Sequence, residues 1–283
     1  SHDTVLTGTK AASPYVPPER FGEQYGGYDL KGRLGNGRFG NVYTVYGHQD
    51  RCDRGMKCPR QMPRSKEDPL IQNTELEMKI LCLLVDSPFI IRIGAMVVDS
   101  RFAVPVPLMI MPLAEFGSLR DVLQRGLLTR GIEDAENRRA YVTVRILRMG
   151  SQIAHGLYFA HTRDPVVIHA DIKPENVLVM CVRYIEGIPF DSFDVRICDF
   201  NICGTLAKVE DFEEGDKKAG RGTRGYQSPE QREGRDVNPK TDVWSLAVVI
   251  IEMCKSHGLG NLAASIEECL NEDDHERIDM QQF

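Results

Sequence analysis

From Tyr28 to Met111 apolar and polar residues alternate mainly with a strand-like period, interrupted by one helical stretch, and beyond Met111 they recur mainly with a helical period. From Tyr28, the runs YDLKGRL, NVYTVY (after a glycine-rich turn) and GMKC each predict a β-strand. DPLIQNTELEMKILCLL predicts a helix, with Asp68 as N-cap and Pro69 at the first helical position. IRIGAMVV and FAVPVPLMIM predict two further strands. After Met111 the pattern turns helical, with a short helix over Ser118–Arg125 and a long one over Asn137–His161. The apolar stripe of the long helix reads through Val144, Leu147, Ile153 and Leu157. VLVM and VRIC predict a small strand pair around a loop at 183–194, and TDVWSLAVVIIEM a helix apolar on most sides, hence buried. Residues 1–27, with Pro14, Pro17, Pro18 and four glycines, show little periodicity and predict a flexible or loosely docked leader. The expected fold is α+β: a small β-rich N-lobe with one long helix, then a larger, mainly helical C-lobe.

Composition narrows the function classes. The chain has 283 residues, 42% hydrophobic and 27% charged, with a net charge of −6, which fits a globular protein and argues against a broad basic face for nucleic acid. The longest apolar run, Leu246–Ile251, falls well short of the roughly 18 residues a membrane span needs, so no membrane span is expected. The eight cysteines form no C-x-x-C pair and are read as reduced thiols, with a disulfide frame or a zinc site as alternatives. That reading places the protein in the cytoplasm or another reducing compartment. The first methionine is Met56, so the chain is expected to be an excised domain.

Three segments carry candidate chemistry. In LGNGRFGNVY, Gly35, Gly37 and Gly40 have G-x-G-x-x-G spacing, and the strand-forming NVYTVY follows them. A glycine loop between two strands suits backbone N–H groups covering a nucleotide's phosphates; an ordinary glycine hairpin is the alternative. Lys57 lies on the next strand and Glu77 on the following helix, where Glu77 shares a face with Leu81 and Leu84. A carboxylate aimed inward needs a cation, and Lys57 is the nearest candidate by strand order; a solvated surface pair is the alternative. Finally Asp171, Lys173 and Asn176 form D-x-K-x-x-N, followed by Asp199 in CDFN. Asp171 suits accepting a hydroxyl proton, Lys173 neutralising a moving phosphoryl group, and Asn176 with Asp199 holding magnesium.

Taken in order, the glycine loop, the strand lysine, the helix glutamate, HADIKPEN, DFN, GTRGYQSPE and DVWSL resemble a eukaryotic-type protein kinase of the serine/threonine group, from about Tyr28 to Arg277. The resemblance implies transfer of the γ-phosphoryl group of ATP, with Mg²⁺, to a serine or threonine hydroxyl of a protein substrate. It implies a kinase domain over 28–283, with an N-lobe at 28–111, a hinge at 112–115 and a C-lobe at 116–283. Lys57 would bind the α- and β-phosphates and pair with Glu77, Asp199 and Asn176 would coordinate Mg²⁺, and Asp171 would orient the acceptor hydroxyl. Met111 resembles the gatekeeper and Pro112 to Ala114 the adenine-binding hinge. Val42 and Leu178 would sandwich the ring, and Leu34, Gly55 and Cys198 would complete the nucleotide pocket. Leu81, Ile93, His169 and Phe200 would stack as a spine anchored by Asp242. Small-molecule phosphotransferases share the Asp/Asn pair but lack SPE and the DVWSL helix.

Several positions depart from the family pattern. Asn201 replaces the glycine of D-F-G, Gly55 stands where an alanine normally packs on adenine, and Ser228 replaces the alanine of A-P-E. Ala170 replaces the arginine that in relatives helps bind an activation-loop phosphate. Between Leu206 and Gly222 there is no serine, threonine or tyrosine, only a lysine-flanked acidic run containing Glu210, Asp211, Glu213, Glu214 and Asp216. Receptor and acceptor of the phosphate are absent together, which predicts a kinase with no need of activation-loop phosphorylation; a merely solvated acidic loop accounts for the charges alone. Arg277 is expected to pair with Glu230, and the short span from Cys254 to Arg277 leaves little room for the helix and loop that often dock substrates. A pseudokinase acting as a nucleotide-binding scaffold or allosteric module, with a regulatory partner, is the alternative reading.

Overall fold

Residues 14–17, 20–21, 27–36, 40–183, 192–200, 204–205, 222–267 and 269–283 are described by the structure, a computed structural model. The chain divides into two units, Ser1–Met78 with Ile93–Leu113, and Lys79–Arg92 with Ala114–Phe283.

The first unit is built on a six-stranded antiparallel sheet. Its strands are β1 (Arg20–Phe21), β2 (Tyr28–Asn36), β3 (Asn41–Gly47), β4 (Cys52–Cys58), β5 (Ala95–Asp99) and β6 (Val106–Pro112), in the order β1-β2-β3-β4-β6-β5. Val106, Leu108 and Ile110 project to one face by the two-residue strand period and pack with Val45, Met56, Cys58 and Val97. Pro107 sits in β6 beyond the last β4 pairing, Lys57 with Met109, so its missing N–H interrupts no ladder bond to β4. Strands β5 and β6 begin later than the apolar runs that predicted them. Ile91 is drawn elsewhere: its N–H donates to Ile197 O at 2.9 Å, and the Ile197 N–H donates to Phe89 O at 2.8 Å. Those bonds tie residues 89–91 to Ile197, in keeping with the grouping of 79–92 with the second unit.

The expected leader needs correction at Tyr15, which is only 1% exposed and belongs to the sheet's core cluster. Its N–H donates to Arg60 O, its hydroxyl donates to the buried Asp99 carboxylate at 2.8 Å, and its ring meets Phe102 edge-on. Arg101 completes the clamp by bonding both Asp99 and Val16 O. The ring leaves water while its hydroxyl keeps a hydrogen-bond partner, the arrangement a buried tyrosine requires.

Helix α1 (Pro69–Leu83) starts as its sequence predicts, with Asp68 Oδ1 accepting the Leu70 N–H at 3.0 Å. The second unit contains α2 (Leu119–Gln124), α3 (Arg138–His161), α4 (Pro229–Glu233), α5 (Pro239–Ser256) and α6 (Gly260–Glu267). Two small sheets join them: β8 (Val177–Arg183) pairs antiparallel with β9 (Ser192–Ile197), and β7 (Val167–Ile168) with β10 (Gly204–Thr205). Between Cys254 and Arg277 the two-turn α6 does form. The α3 stripe differs from expectation: Val144 and Leu147 are exposed, whereas Val142, Ile146, Met149, Ile153 and Leu157 are buried. Arg145 is also buried, because its guanidinium donates to Leu128 O at 2.8 Å and lies over the Phe193 ring.

No helix among the described residues is long and apolar enough to cross a membrane. Cys52, Cys58, Cys82 and Cys254 are free thiols, and burial pushes Cys58 up to about 12, which makes it inert.

Candidate active site

In the first unit, β4 carries Lys57 and α1 carries Glu77. Glu77 is 2% exposed and lies on the α1 face that also buries Met78, Leu81 and Leu84. Lys57 Nζ stands 2.8 Å from each Glu77 carboxylate oxygen. A carboxylate this buried requires a charged partner, and the pair fixes the lysine ammonium at one point beside the sheet. Lys57 pairs across the sheet with Val42 on β3 and Met109 on β6.

The glycine loop joins β2 and β3, with Gly35 on β2 opposite Val42. Gly40 has a packing reason to be glycine: a Cβ there would stand 2.7 Å from Cys58 O. Gly37 lies outside the described residues. Leu34 is exposed, Val42 half-buried and Met111 buried. Gly55 pairs with Met111, and a Cβ at Gly55 would meet Met111 Cγ at 3.4 Å, so alanine would fit with little movement.

In the second unit the loop after β7 brings the polar residues together. Asp171, 3% exposed, accepts the Thr223 hydroxyl on Oδ1 at 2.7 Å and the Lys173 ammonium on Oδ2 at 2.8 Å. Lys173 also donates to Thr223 Oγ1 at 2.6 Å, which closes a three-membered ring of charge-assisted bonds. Asn176 Nδ2 donates to Asp171 O at 2.8 Å, so the amide's oxygen is the atom left to face a ligand. The Cys198 N–H donates to Asn176 O at 2.9 Å, and the β8–β9 register pairs Val177 with Ile197. Asn176 and Asp199 thus emerge from the same end of one hairpin. Two hard oxygen donors, one of them charged, fit Mg²⁺, which keeps much of its shell for water and phosphate. Among the described residues there is no cluster of three His, Cys, Asp or Glu side chains that would cage a metal by itself.

Backbone anchoring comes from Asp242 on α5, fully buried, which accepts the N–H groups of His169 at 2.9 Å and Ala170 at 2.8 Å. His161 Nε2 lies 2.8 Å from the same carboxylate. His169 Nδ1 accepts the Asp171 N–H, which assigns the ring proton to Nε2, 3.0 Å from Cys198 O. Its ring meets Phe200 edge-on at 4.7 Å. Ala114 precedes Glu115 and Phe116, whose N–H groups bond Met180 O and Val179 O on β8; Leu178 and Cys198 are half-buried.

The chain matches the protein kinase domain family over residues 28–263. It belongs to that family. Similar proteins include serine/threonine-protein kinase A of Synechocystis sp., 29% identical over 240 residues that cover 80% of this chain and 40% of the relative. The dual specificity protein kinase shkA of Dictyostelium discoideum is 25% identical over 253 residues, 88% of this chain and 41% of its own length. Serine/threonine-protein kinase STE20 of Saccharomyces cerevisiae is 28% identical over 221 residues, 78% of this chain and 20% of its own. The chain spans less than half the length of each of these curated relatives. It is a divergent protein kinase domain, with the α+β fold of that family.

Within the kinase, Glu230 and Arg277 are both fully buried, with Nη1 2.9 Å from Oε1 and Nη2 3.1 Å from Oε2. Burial pushes the Glu230 carboxyl up, but Arg277 and the Thr241 hydroxyl more than offset it and hold the group below the usual carboxylate range. Residues 201–203 and 206–221 lie outside the described residues, and with them Asn201 and the acidic run.

Sequence reasoning missed a second cluster. Arg120 on α2 bonds Glu175 at 2.8 Å, Glu252 on α5 at 2.5 Å and the Tyr226 hydroxyl at 2.6 Å, while Tyr226 donates to Glu252 at 2.6 Å. Burial, then Glu252, hold the Tyr226 phenol above its usual range. The arginine, placed two residues after the Ser118 cap, joins α2, the loop after Lys173 and the segment after Thr223. No spacing rule marks these four residues, because their contact is made by tertiary packing.

Proposed function

We propose that this kinase transfers the γ-phosphoryl group of Mg-ATP to a serine or threonine hydroxyl of a protein, from a kinase domain over 28–283 with its hinge at 112–115. The observation that carries the reading is the ring formed by Asp171, Lys173 and Thr223, which holds one buried carboxylate in a single orientation with a cation beside it. In the step itself the acceptor hydroxyl oxygen bonds to phosphorus, the bond to the ADP oxygen breaks, and the hydroxyl proton passes to Asp171. A carboxylate has about four acceptor sites, so Asp171 has capacity left after its bonds to Thr223 and Lys173.

Lys57, fixed by Glu77, would hold the α- and β-phosphates, and Lys173 would neutralise charge on the moving group. Gly35, Gly37 and Gly40 would cover the phosphates with backbone N–H groups. Leu34, Val42, Gly55, Met111, Pro112, Ala114, Leu178 and Cys198 would enclose the base. Asn176 and Asp199 would hold Mg²⁺, which supplies charge neutralisation to the phosphates. The missing cation at 170 and the missing acceptors between Leu206 and Gly222 support activity without an activation-loop phosphate.

Incubation of the native chain, Asp171→Asn and Lys57→Met with labelled Mg-ATP and a mixed serine/threonine protein acceptor tests the reading. Label should appear on serine or threonine with the native chain and fall at least about a hundredfold in both variants. Equal labelling by all three would defeat it.

A further inference from the structure

Ala170 occupies the left-handed region at φ +61°, a conformation that L-residues with a Cβ rarely adopt. Such a position persists only where its surroundings over-determine it. Here both backbone polar groups of Ala170 are held by buried side chains. Its N–H donates to Asp242 Oδ1 at 2.8 Å, and its carbonyl accepts from Gln231 Nε2 at 2.7 Å. The first bond anchors the loop to α5. The second reaches to α4, 61 residues along the chain.

Gln231 is 3% exposed and spends both ends of its amide. While Nε2 donates to Ala170 O, Oε1 accepts the Ser228 N–H at 3.1 Å and so completes the capping box of α4. Gly222 is pressed against the same bond. Its φ is +97°, and a Cβ there would stand 3.0 Å from both Ala170 O and Gln231 Nε2. The amide therefore sits where three pieces meet: the loop bearing Asp171, the chain entering Thr223, and the cap that ends that segment.

We propose that Gln231 is a positioning residue for phosphoryl transfer, a neutral buried tether between the catalytic loop and the Thr223 segment. It rests on the reading above, in which no phosphate on 206–222 is available for that task. An arginine at 170 facing a phosphate would couple loop and segment through exposed charges, screened by salt. An amide buried on both sides couples them permanently, with little sensitivity to ionic strength. Thr223 then stays on Asp171 without a modification to order it.

Two variants separate the tether from simple cap stability. Gln231→Glu keeps the acceptor for Ser228 but, ionised, has no donor for Ala170 O; Gln231→Met keeps the length and loses both bonds. Each is assayed at alkaline pH, where the carboxyl is ionised, for kcat, KM for Mg-ATP and thermal unfolding. Loss of one buried hydrogen bond predicts that kcat falls about tenfold in both variants with KM for Mg-ATP within about twofold of native. Gln231→Glu buries a charge at a site 3% exposed and should unfold below the native protein, so both variants are assayed well below their unfolding midpoints. If Gln231 served only the α4 cap, Gln231→Glu would keep native kcat, and that result overturns the proposal. Amide hydrogen exchange provides an arm independent of turnover: residues 168–173 and 222–227 should exchange faster in Gln231→Glu, and unchanged exchange there equally overturns it. A native chain that transfers no phosphate, with the exchange difference present, would instead defeat the phosphotransfer reading and leave the tether standing.

Discussion

The Thr223 hydroxyl donates to Asp171 Oδ1 at 2.7 Å while accepting from Lys173 Nζ at 2.6 Å. Through Thr223 the segment following the acidic run touches the carboxylate proposed to take the acceptor proton. Thr223→Ala removes a hydrogen bond to a charged group, worth about 1.5–3 kcal/mol, and should lower kcat roughly ten- to a hundredfold. Thr223→Ser keeps the hydroxyl and should retain most of the activity. Steady-state kinetics of the two variants check this, and equal loss in both would mean that the methyl group, rather than the hydroxyl, matters.

Lys57 and Glu77 make a second testable pair. Lys57→Met leaves the buried Glu77 carboxylate without that ammonium, which should cost about 3–5 kcal/mol of stability. The double variant Lys57→Met/Glu77→Gln removes the charge as well and should recover much of that loss while remaining inactive. Denaturant unfolding of the native chain, the single and the double variant measures the coupling.

The Glu230–Arg277 pair makes a pH prediction. The Glu230 carboxyl is held below its ordinary value of 4.5, so its contribution to stability is present above that value and is lost as pH falls through the lower folded-state value. Arg277→Met should therefore destabilise the protein by about 3–5 kcal/mol at neutral pH. The gap between native and variant should narrow as the solution is acidified below the ordinary glutamate range. Unfolding midpoints followed from neutral to acid pH test the sign directly.

Tyr15 should behave as a core residue. Tyr15→Phe loses the bond to Asp99 and should cost about 1–3 kcal/mol, whereas Tyr15→Ala also loses the ring and should cost about 3–5 kcal/mol. Denaturant unfolding compares the two. A variant series within experimental error of the native protein would return residues 14–17 to the status of a loose leader.

Much of the architecture was legible in the sequence, and the exceptions share a cause. Asp68, Pro69 and the Leu81–Leu84 face located α1, and the inward aim of Glu77 followed from helical spacing alone. The grouping of Asp171, Lys173 and Asn176 was legible because three polar residues stood beside apolar strands. Tyr15 was not, since a single aromatic residue in a proline-rich stretch carries no period. The α3 stripe was misread because Val144 and Leu147 compete with the true face, and the buried Arg145 breaks the rule that charges point outward. Gln231 was invisible for a related reason: its partner, a backbone carbonyl at Ala170, has no side-chain signature.

The alanine at 170 and the absence of hydroxyl residues from 206 to 222 tie the catalytic reading to its regulation. The most direct measurement is transfer from labelled Mg-ATP to a serine/threonine protein acceptor by phosphatase-treated native chain, with Asp171→Asn alongside. Retained transfer after phosphatase treatment, and its loss in Asp171→Asn, is the expected result. Activity that phosphatase abolishes, or that Asp171→Asn keeps in full, would contradict it.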